Sequence, residues 1–250
     1  MLGKTALCLY GFLRSHRSTI NKWKANVIEP LDADVFICCT EFFYAPSVID
    51  VWASSEILEK VEPEYLQQNY EQRLKELKIL PYEPEKYKKL VKDLQLPENN
   101  MLNDRGEISN IGQSNQFAWR MFSMFFHIQT VLKMCQEYQE QHHIYYDTII
   151  ISRPDLSIEN KYNIEHLNPE TVYSSGDHIA RVLGTEKWIS DHLLISKQSN
   201  IMKLLYIYDH ISQFYKEGIV INQETLIGFT FLKHNIEFTR SDFSNHHLIR

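Results

Sequence analysis

An α/β fold, with a mixed sheet flanked by helices and carrying a helical insertion, is the class this sequence predicts. Three observations carry it. The run Thr148–Ile151 is rich in isoleucine and lacks polar alternation, which reads as a strand buried on both faces. Two apolar runs of the same texture, Thr5–Tyr10 and Ala33–Cys39, flank a segment with helical spacing of apolar residues. A long apolar stripe from Phe117 to Cys135 then leads directly into Thr148–Ile151, so the strand–helix–strand pattern occurs twice.

Taken in order, the first strand ends in Gly11-Phe12-Leu13-Arg14-Ser15-His16-Arg17. Gly11 allows close backbone approach at that end, and Arg14 and Arg17 supply positive charge. Ser18 is a candidate cap for a helix reaching Ile28, with Ile20, Trp23, Val27 and Ile28 on one face and Pro30 as the stop. The second strand, Ala33–Cys39, should pair in parallel with the first through a right-handed crossover. From about 53 to 113 the texture changes to Glu, Lys, Gln and Tyr, punctuated by Pro63, Pro81, Pro84 and Pro97. This predicts an insertion of amphipathic helices, such as Glu64–Leu77 and Glu85–Leu94, followed by a loop over Asn99–Ser114. The longest helix is expected from Ser114 to about Gln141, its Met and aromatic stripe packing on the sheet. Beyond Asp155 come a short strand at Thr171–Tyr173 and an apolar run at Leu193–Ile195. Helices at Gln198–Phe214 and Gln223–His234 and a last strand near Ile236–Thr239 complete the chain.

Composition narrows the function classes. The chain has 250 residues, a formal charge of −6 and a pI near 6, so it shows no basic stripe of a nucleic-acid binder. Among eight glycines there is neither a G-x-G-x-x-G nor a G-x-x-x-x-G-K-[ST] loop, which removes the main support for dinucleotide and P-loop readings. The eleven histidines lack metal-ligand spacing. Cys8, Cys38, Cys39 and Cys135 show no C-x-x-C and read as buried reduced thiols. With no stretch of transmembrane length and no cleavage-site pattern, a soluble, cytoplasmic protein is expected.

The stretch Tyr146-Asp147-Thr148-Ile149-Ile150-Ile151-Ser152-Arg153-Pro154-Asp155-Leu156 organises the rest. Proline cannot donate to a sheet ladder, so the strand stops near Ser152. Arg153 and Asp155 then stand at the C-terminal end of a buried strand, where open α/β sheets place their ligands. The same residues also fit a simple ion pair closing a turn.

Together with Leu9-Tyr10-Gly11-Phe12-Leu13-Arg14, Asp34-Val35-Phe36-Ile37, Asp191-His192-Leu193-Leu194-Ile195 and Gln223-Glu224-Thr225-Leu226, this stretch resembles the GT-A-type glycosyltransferases of bacterial capsule and lipopolysaccharide clusters and of large algal viruses. The likeness spans residues 5 to about 240 apart from the insertion. It implies one GT-A-like, Rossmann-type catalytic domain over 1–250 that moves a sugar from a UDP- or GDP-sugar to a hydroxyl of a growing glycan or glycolipid. By the same resemblance, Gly11 and Arg14 lie against the nucleotide. Asp155 matches the carboxylate of a D-x-D motif that binds the diphosphate and a divalent metal, Mn²⁺ or Mg²⁺. This chain has one carboxylate there, in Arg153-Pro154-Asp155-Leu156-Ser157, and a hard cation prefers several oxygen ligands. Arg153 and Arg14 are the alternative source of neutralising charge.

Transfer passes through an oxocarbenium-like transition state, so the leaving diphosphate needs stabilising and an inverting enzyme needs a base. Asp191 matches the acceptor-side acid and is the candidate base; a turn or cap role before Leu193 is its other reading. Asp177, in a loop after a strand, is the second candidate. Glu224 reads as a helix cap with a ligand role in reserve, and Trp188 and His192 as stacking side chains. Two other functions stay open: another nucleotide-dependent transferase, or a non-catalytic glycan- or partner-binding module on the same fold. Association with a membrane would be at most peripheral.

Overall fold

A computed structural model describes residues 3–44, 57–95, 118–175, 180–182, 184–241 and 246–248. The first strand, β1, runs Thr5–Leu13. It is followed by α1, His16–Trp23, whose last turn continues as a π-helical segment, Lys24–Ile28. The helix starts at His16, ahead of the expected Ser18. Its first turn is held by the Ser15 carbonyl, which accepts from the Ser18 and Thr19 N–H groups. The second strand, β2, covers Asp34–Tyr44 and pairs in parallel with β1.

The insertion differs from expectation. It contains β3 at Ile57–Lys60, α2 at Pro63–Tyr70, a short 3-10 turn at Glu71–Arg73, β4 at Leu74–Leu80 and α3 at Pro84–Asp93. The helix expected over Glu64–Leu77 stops at Tyr70, where Glu71 turns with φ +50°. Leu74–Leu80 then lies parallel beside β2, and β3 pairs antiparallel with the far end of β2. A register slip between Leu74 and Glu76 puts Leu74 on the same face as Leu77 and Ile79, all three packed against one core. The unpaired edge of β2 and this apolar face outweigh the helix preference of Lys and Glu. The expected loop over Asn99–Ser114 lies outside the described residues.

The long helix α4 spans Ala118–His142 and leads into β5, Thr148–Ser152. Short strands β6 (Leu156–Ile158), β7 (Thr171–Ser174), β8 (Ala180–Arg181) and β9 (Trp188–Ile189) follow. Then come β10 (Leu193–Lys197), α5 (Gln198–Ile201), a 3-10 segment Met202–Tyr206, and α6 (Ile207–Lys216). The single helix expected over Gln198–Phe214 is therefore broken by the 3-10 stretch. The chain closes with α7 (Gln223–Lys233), β11 (Glu237–Arg240) and β12 (His246–Leu248).

Among the described residues the central sheet runs β11-β7-β10-β5-β1-β2, with β3 and β4 end to end on the outer edge of β2. It is mixed and mostly parallel: β10 is antiparallel to both β5 and β7, and β3 to β2. This is a Rossmann-like sheet flanked by helices. From β1 the chain moves outward to β2, then returns to β5 on the other side of β1. The order reverses between β1 and β5, and in open α/β sheets ligands bind outside the C-terminal ends of the strands at such a point.

Both faces are covered, which is why the strands read as continuous apolar runs. Ala6, Cys8, Tyr10, Phe36, Cys38, Ile149 and Ile151 pack under α4 with Phe125, Ile128, Val131, Leu132 and Cys135. Leu7, Leu9, Val35, Ile37, Cys39 and Ile150 face the other way, against Ile20, Trp23 and Val27 of the first helix and Leu66 and Tyr70 of α2. The four cysteines are free and buried, as expected. No described helix is long and apolar enough to cross a membrane.

Two buried histidines set the acid limit of this core. The ring nitrogens of His16 lie 2.8 Å from the Tyr70 hydroxyl and 3.2 Å from that of Tyr65, tying α1 to α2. His127 Nδ1–H donates to the Ser123 carbonyl at 2.6 Å. Burial holds both imidazoles neutral, with pKa values lowered from 6.5 to about 4. The unfolded chain takes up these protons near pH 6.5, whereas the folded chain resists until about 4, so stability falls as pH drops through that window. Urea unfolding at pH 7, 6 and 5 should show a loss approaching about 1.4 kcal/mol per pH unit for each histidine. The slope should flatten in His16→Gln and His127→Gln.

Candidate functional site

The site is built by the ends of β1 and β5. In β1, Gly11 adopts φ +96°, and pairing with β2 slips between Gly11 and Leu13. An added Cβ at Gly11 would meet nothing within 4 Å, so the glycine is required by its backbone angle and not by the close approach expected. Past this irregularity Leu13 is buried and Arg14 turns toward the end of β5. There Pro154 ends the strand as expected. Its carbonyl accepts the Thr19 hydroxyl of α1 at 2.7 Å, so the helix after β1 holds the turn after β5. Lys22 and Asn26, one and two turns further on, donate to Ser157 Oγ and the Ile158 carbonyl of β6 and fix the outgoing chain.

Arg153 and Asp155 form a two-pronged pair: Nε to Oδ1 at 3.0 Å and Nη2 to Oδ2 at 2.7 Å. Arg14 Nη1 approaches the same Oδ2 at 3.7 Å. Asp155 is only 2% exposed. Burial pushes its carboxyl upward, but Arg153 and then Arg14 outweigh this and hold it below the usual range. Burial works against the charge on Arg153, and the Asp155 and Asp191 carboxylates keep it cationic. Two cations thus converge on one carboxylate at this edge of the sheet.

The antiparallel strand supplies a second wall, on the other side of β5 from β1. Because β10 runs against β5, its N-terminal end meets the C-terminal end of β5. The Arg153 N–H donates to the His192 carbonyl at 3.1 Å, and the Ser152 hydroxyl donates to it at 3.0 Å. Asp191 and His192 are 5% and 6% exposed, with His192 Nε2 3.6 Å from Asp191 Oδ1. The Tyr10 hydroxyl, at the end of β1, donates to the Asp191 carbonyl. Tyr10 is held protonated by burial and then by the Asp191 charge. Ser175 and Ser190 hydroxyls, 2.8 Å apart, join the segment after β7 to the one before β10.

Glu224, in the first turn of α7, completes this wall. The residue that caps the helix is Asn222, whose Oδ1 accepts the Thr225 N–H at 3.0 Å, so the cap role expected of Glu224 belongs elsewhere. Glu224 is 7% exposed, and burial followed by the Asp191 charge pushes its carboxyl up to about 8. Close contact makes this placement possible: Gly228 of α7 sits against Val182, whose Cγ2 would lie 2.4 Å from an added Cβ. Trp188, on the β8–β9 ribbon, is 42% exposed.

Of the residues singled out from the sequence, Arg14, Arg153, Asp155 and Asp191 come together here, and Gly11 shapes the approach. Arg17 instead stacks over Phe43 at 4.7 Å and pairs with Glu59. Asp177 lies outside the described residues. Sequence reasoning took Tyr10 as core and missed its role. The signal was a phenol at the end of the apolar run Thr5–Tyr10, just before Gly11.

The fit of a divalent metal at Asp155 is poor. Both of its oxygens accept from Arg153, and Arg14 adds a second positive charge, so a cation there would meet two guanidiniums at a single carboxylate. Among the described residues no group of three or more His, Cys, Asp or Glu side chains is placed to hold a metal. No chemical step is therefore routed through one. No protein-family model matches the chain, and no curated protein sequence matches it.

The pair has a direct stability consequence. Asp155→Ala leaves the Arg153 guanidinium without its buried partner and should cost about 3–5 kcal/mol in urea unfolding. Asp155→Asn, which keeps one accepting oxygen, should cost less, and Arg14→Ala, at a partly exposed site, less again.

Proposed function

We propose that this chain is a GT-A-type glycosyltransferase that uses a nucleotide-sugar donor and a hydroxyl of a glycan or glycolipid as acceptor. The observation that carries the reading is the convergence of Arg14 and Arg153 on Asp155 at the edge where the sheet order reverses. That edge takes phosphorylated ligands in open α/β sheets, and guanidinium forks match diphosphate oxygens. In this reading the donor's diphosphate lies against Arg14 and Arg153. These cations stabilise the charge that grows on the leaving group as the anomeric bond breaks. Asp191, just before the neighbouring strand β10, accepts the proton of the acceptor hydroxyl. The exposed ring of Trp188 offers an apolar face to a sugar.

A thermal-shift panel of UDP-sugars, GDP-sugars, ATP and a sulfonucleotide tests the reading. Stabilisation by a nucleotide sugar and not by the others supports it. Stabilisation by ATP or the sulfonucleotide alone assigns the site to another transferase, and sugar binding without donor turnover assigns it to a binding module. With the matched donor, Arg14→Ala should weaken binding about 10- to 100-fold through loss of a charge-assisted contact. Asp191→Asn should lower kcat by roughly 10²- to 10⁴-fold with little change in KM. Chelator should leave donor binding intact, given the poor fit of a metal at Asp155.

A further inference from the structure

Glu224 is a buried carboxyl whose surroundings explain only half of it. The first turn of α7 holds it through Asn222 and its own backbone N–H. Its Oε2 is buried and has no hydrogen-bond partner among the described residues. Among the described residues, the charge that acts on it is another carboxyl, Asp191. An ionised Glu224 would leave a buried oxygen unsatisfied and set two negative charges side by side. A proton on Glu224 removes both costs and turns the orphaned oxygen into a donor. The charge of the pair then belongs on Asp191, which has Arg153 and His192 beside it.

We propose that Asp191 and Glu224 form a one-proton carboxyl pair that binds a hydroxyl-bearing ligand, Glu224 donating its O–H to a ligand oxygen while Asp191 accepts from the ligand hydroxyl. Among the described residues, the ionisable groups around the pair include Tyr10, Arg153, Asp155 and His192, with Arg14 beyond Asp155. Tyr10 stays protonated and Arg153 stays charged, so neither competes for this proton near neutrality. The raised pKa of Glu224 has the same direction. The ligand half of the proposal rests on the acceptor role of Asp191 argued above; the pair itself does not.

Infrared difference spectroscopy reads the proton directly. At pH 7 the wild-type protein should show the carbonyl stretch of a protonated carboxyl, absent in Glu224→Gln and bleaching as the pH rises past about 8. In Asp191→Asn the like charge is gone, so the bleaching midpoint should move to lower pH. A band unchanged in Glu224→Gln, or a midpoint unmoved in Asp191→Asn, overturns the pair even if nucleotide sugars bind. Thermal melts supply a second reading. The unfolded carboxyl ionises near 4.5 and the folded one near 8, so the stability of Glu224→Gln relative to wild type should grow across that range and then level off.

The ligand half is tested by saturation-transfer NMR with methyl glucosides and methyl galactosides. Glu224→Gln, which still donates, should keep the signal, whereas Glu224→Ala and Asp191→Ala should weaken binding about tenfold. If the infrared band behaves as expected and no glycoside binds to wild type, the ligand half falls together with the acceptor reading, and the pair stands.

Discussion

The buried fork between Arg153 and Asp155 is the interaction on which the site depends. Taking two charges out of water is costly, and only good geometry with further hydrogen bonds offsets that cost. Pro154 provides the geometry by ending β5 in a turn that brings residues two apart in sequence to one side of the chain. Arg14 adds a second cation, and the Thr19 hydroxyl pins the Pro154 carbonyl to α1. The Arg153 backbone, meanwhile, docks the start of β10 through the His192 carbonyl. One turn thus joins the ends of β1, β5 and β10.

The reversed direction of β10 has a consequence that a wholly parallel sheet would lack. Parallel strands bring only their C-terminal residues to the ligand edge. An antiparallel member contributes its N-terminal approach instead, here Asp191 and His192. The start of α7 adds Glu224 from the same side. Charge is sorted as a result: cations gather at the ends of β1 and β5, and carboxyls gather along β10 and α7. A ligand with an anionic part and a hydroxyl-bearing part matches that polarity, and this is the physical content of the glycosyltransferase reading.

Much of the frame was legible because its strands are buried on both faces. Thr5–Tyr10, Ala33–Cys39 and Thr148–Ile151 have no polar alternation, and a run of that kind has few other places to go. Pro154 marked the end of β5 for the same local reason. What local pattern did not show was pairing. Leu74–Leu80 carries Lys and Glu at positions suited to a helix, and only the open edge of β2 makes it a strand. Tyr10 looked like one more core residue, because its hydroxyl partner lies 181 positions away in the chain. Glu224 resembled a cap because acids favour helix starts, and the true cap, Asn222, stands two residues earlier.

In the proposed enzyme, Asp155 also accounts for a diphosphate site that works without a metal. A carboxylate between two guanidiniums cancels part of their charge, which looks wasteful in an anion site. Free arginines, however, are flexible and lose side-chain entropy when a ligand orders them. Asp155 orders both beforehand: it holds Arg153 by two donors and leaves the third guanidinium nitrogen for a ligand. The net positive charge is smaller, but its position is fixed before the ligand arrives. Preorganised charge stabilises a developing anion more effectively than charge that must first reorient. In the proposed enzyme, then, Asp155 acts on the donor through the two arginines it holds and needs no contact of its own with the diphosphate.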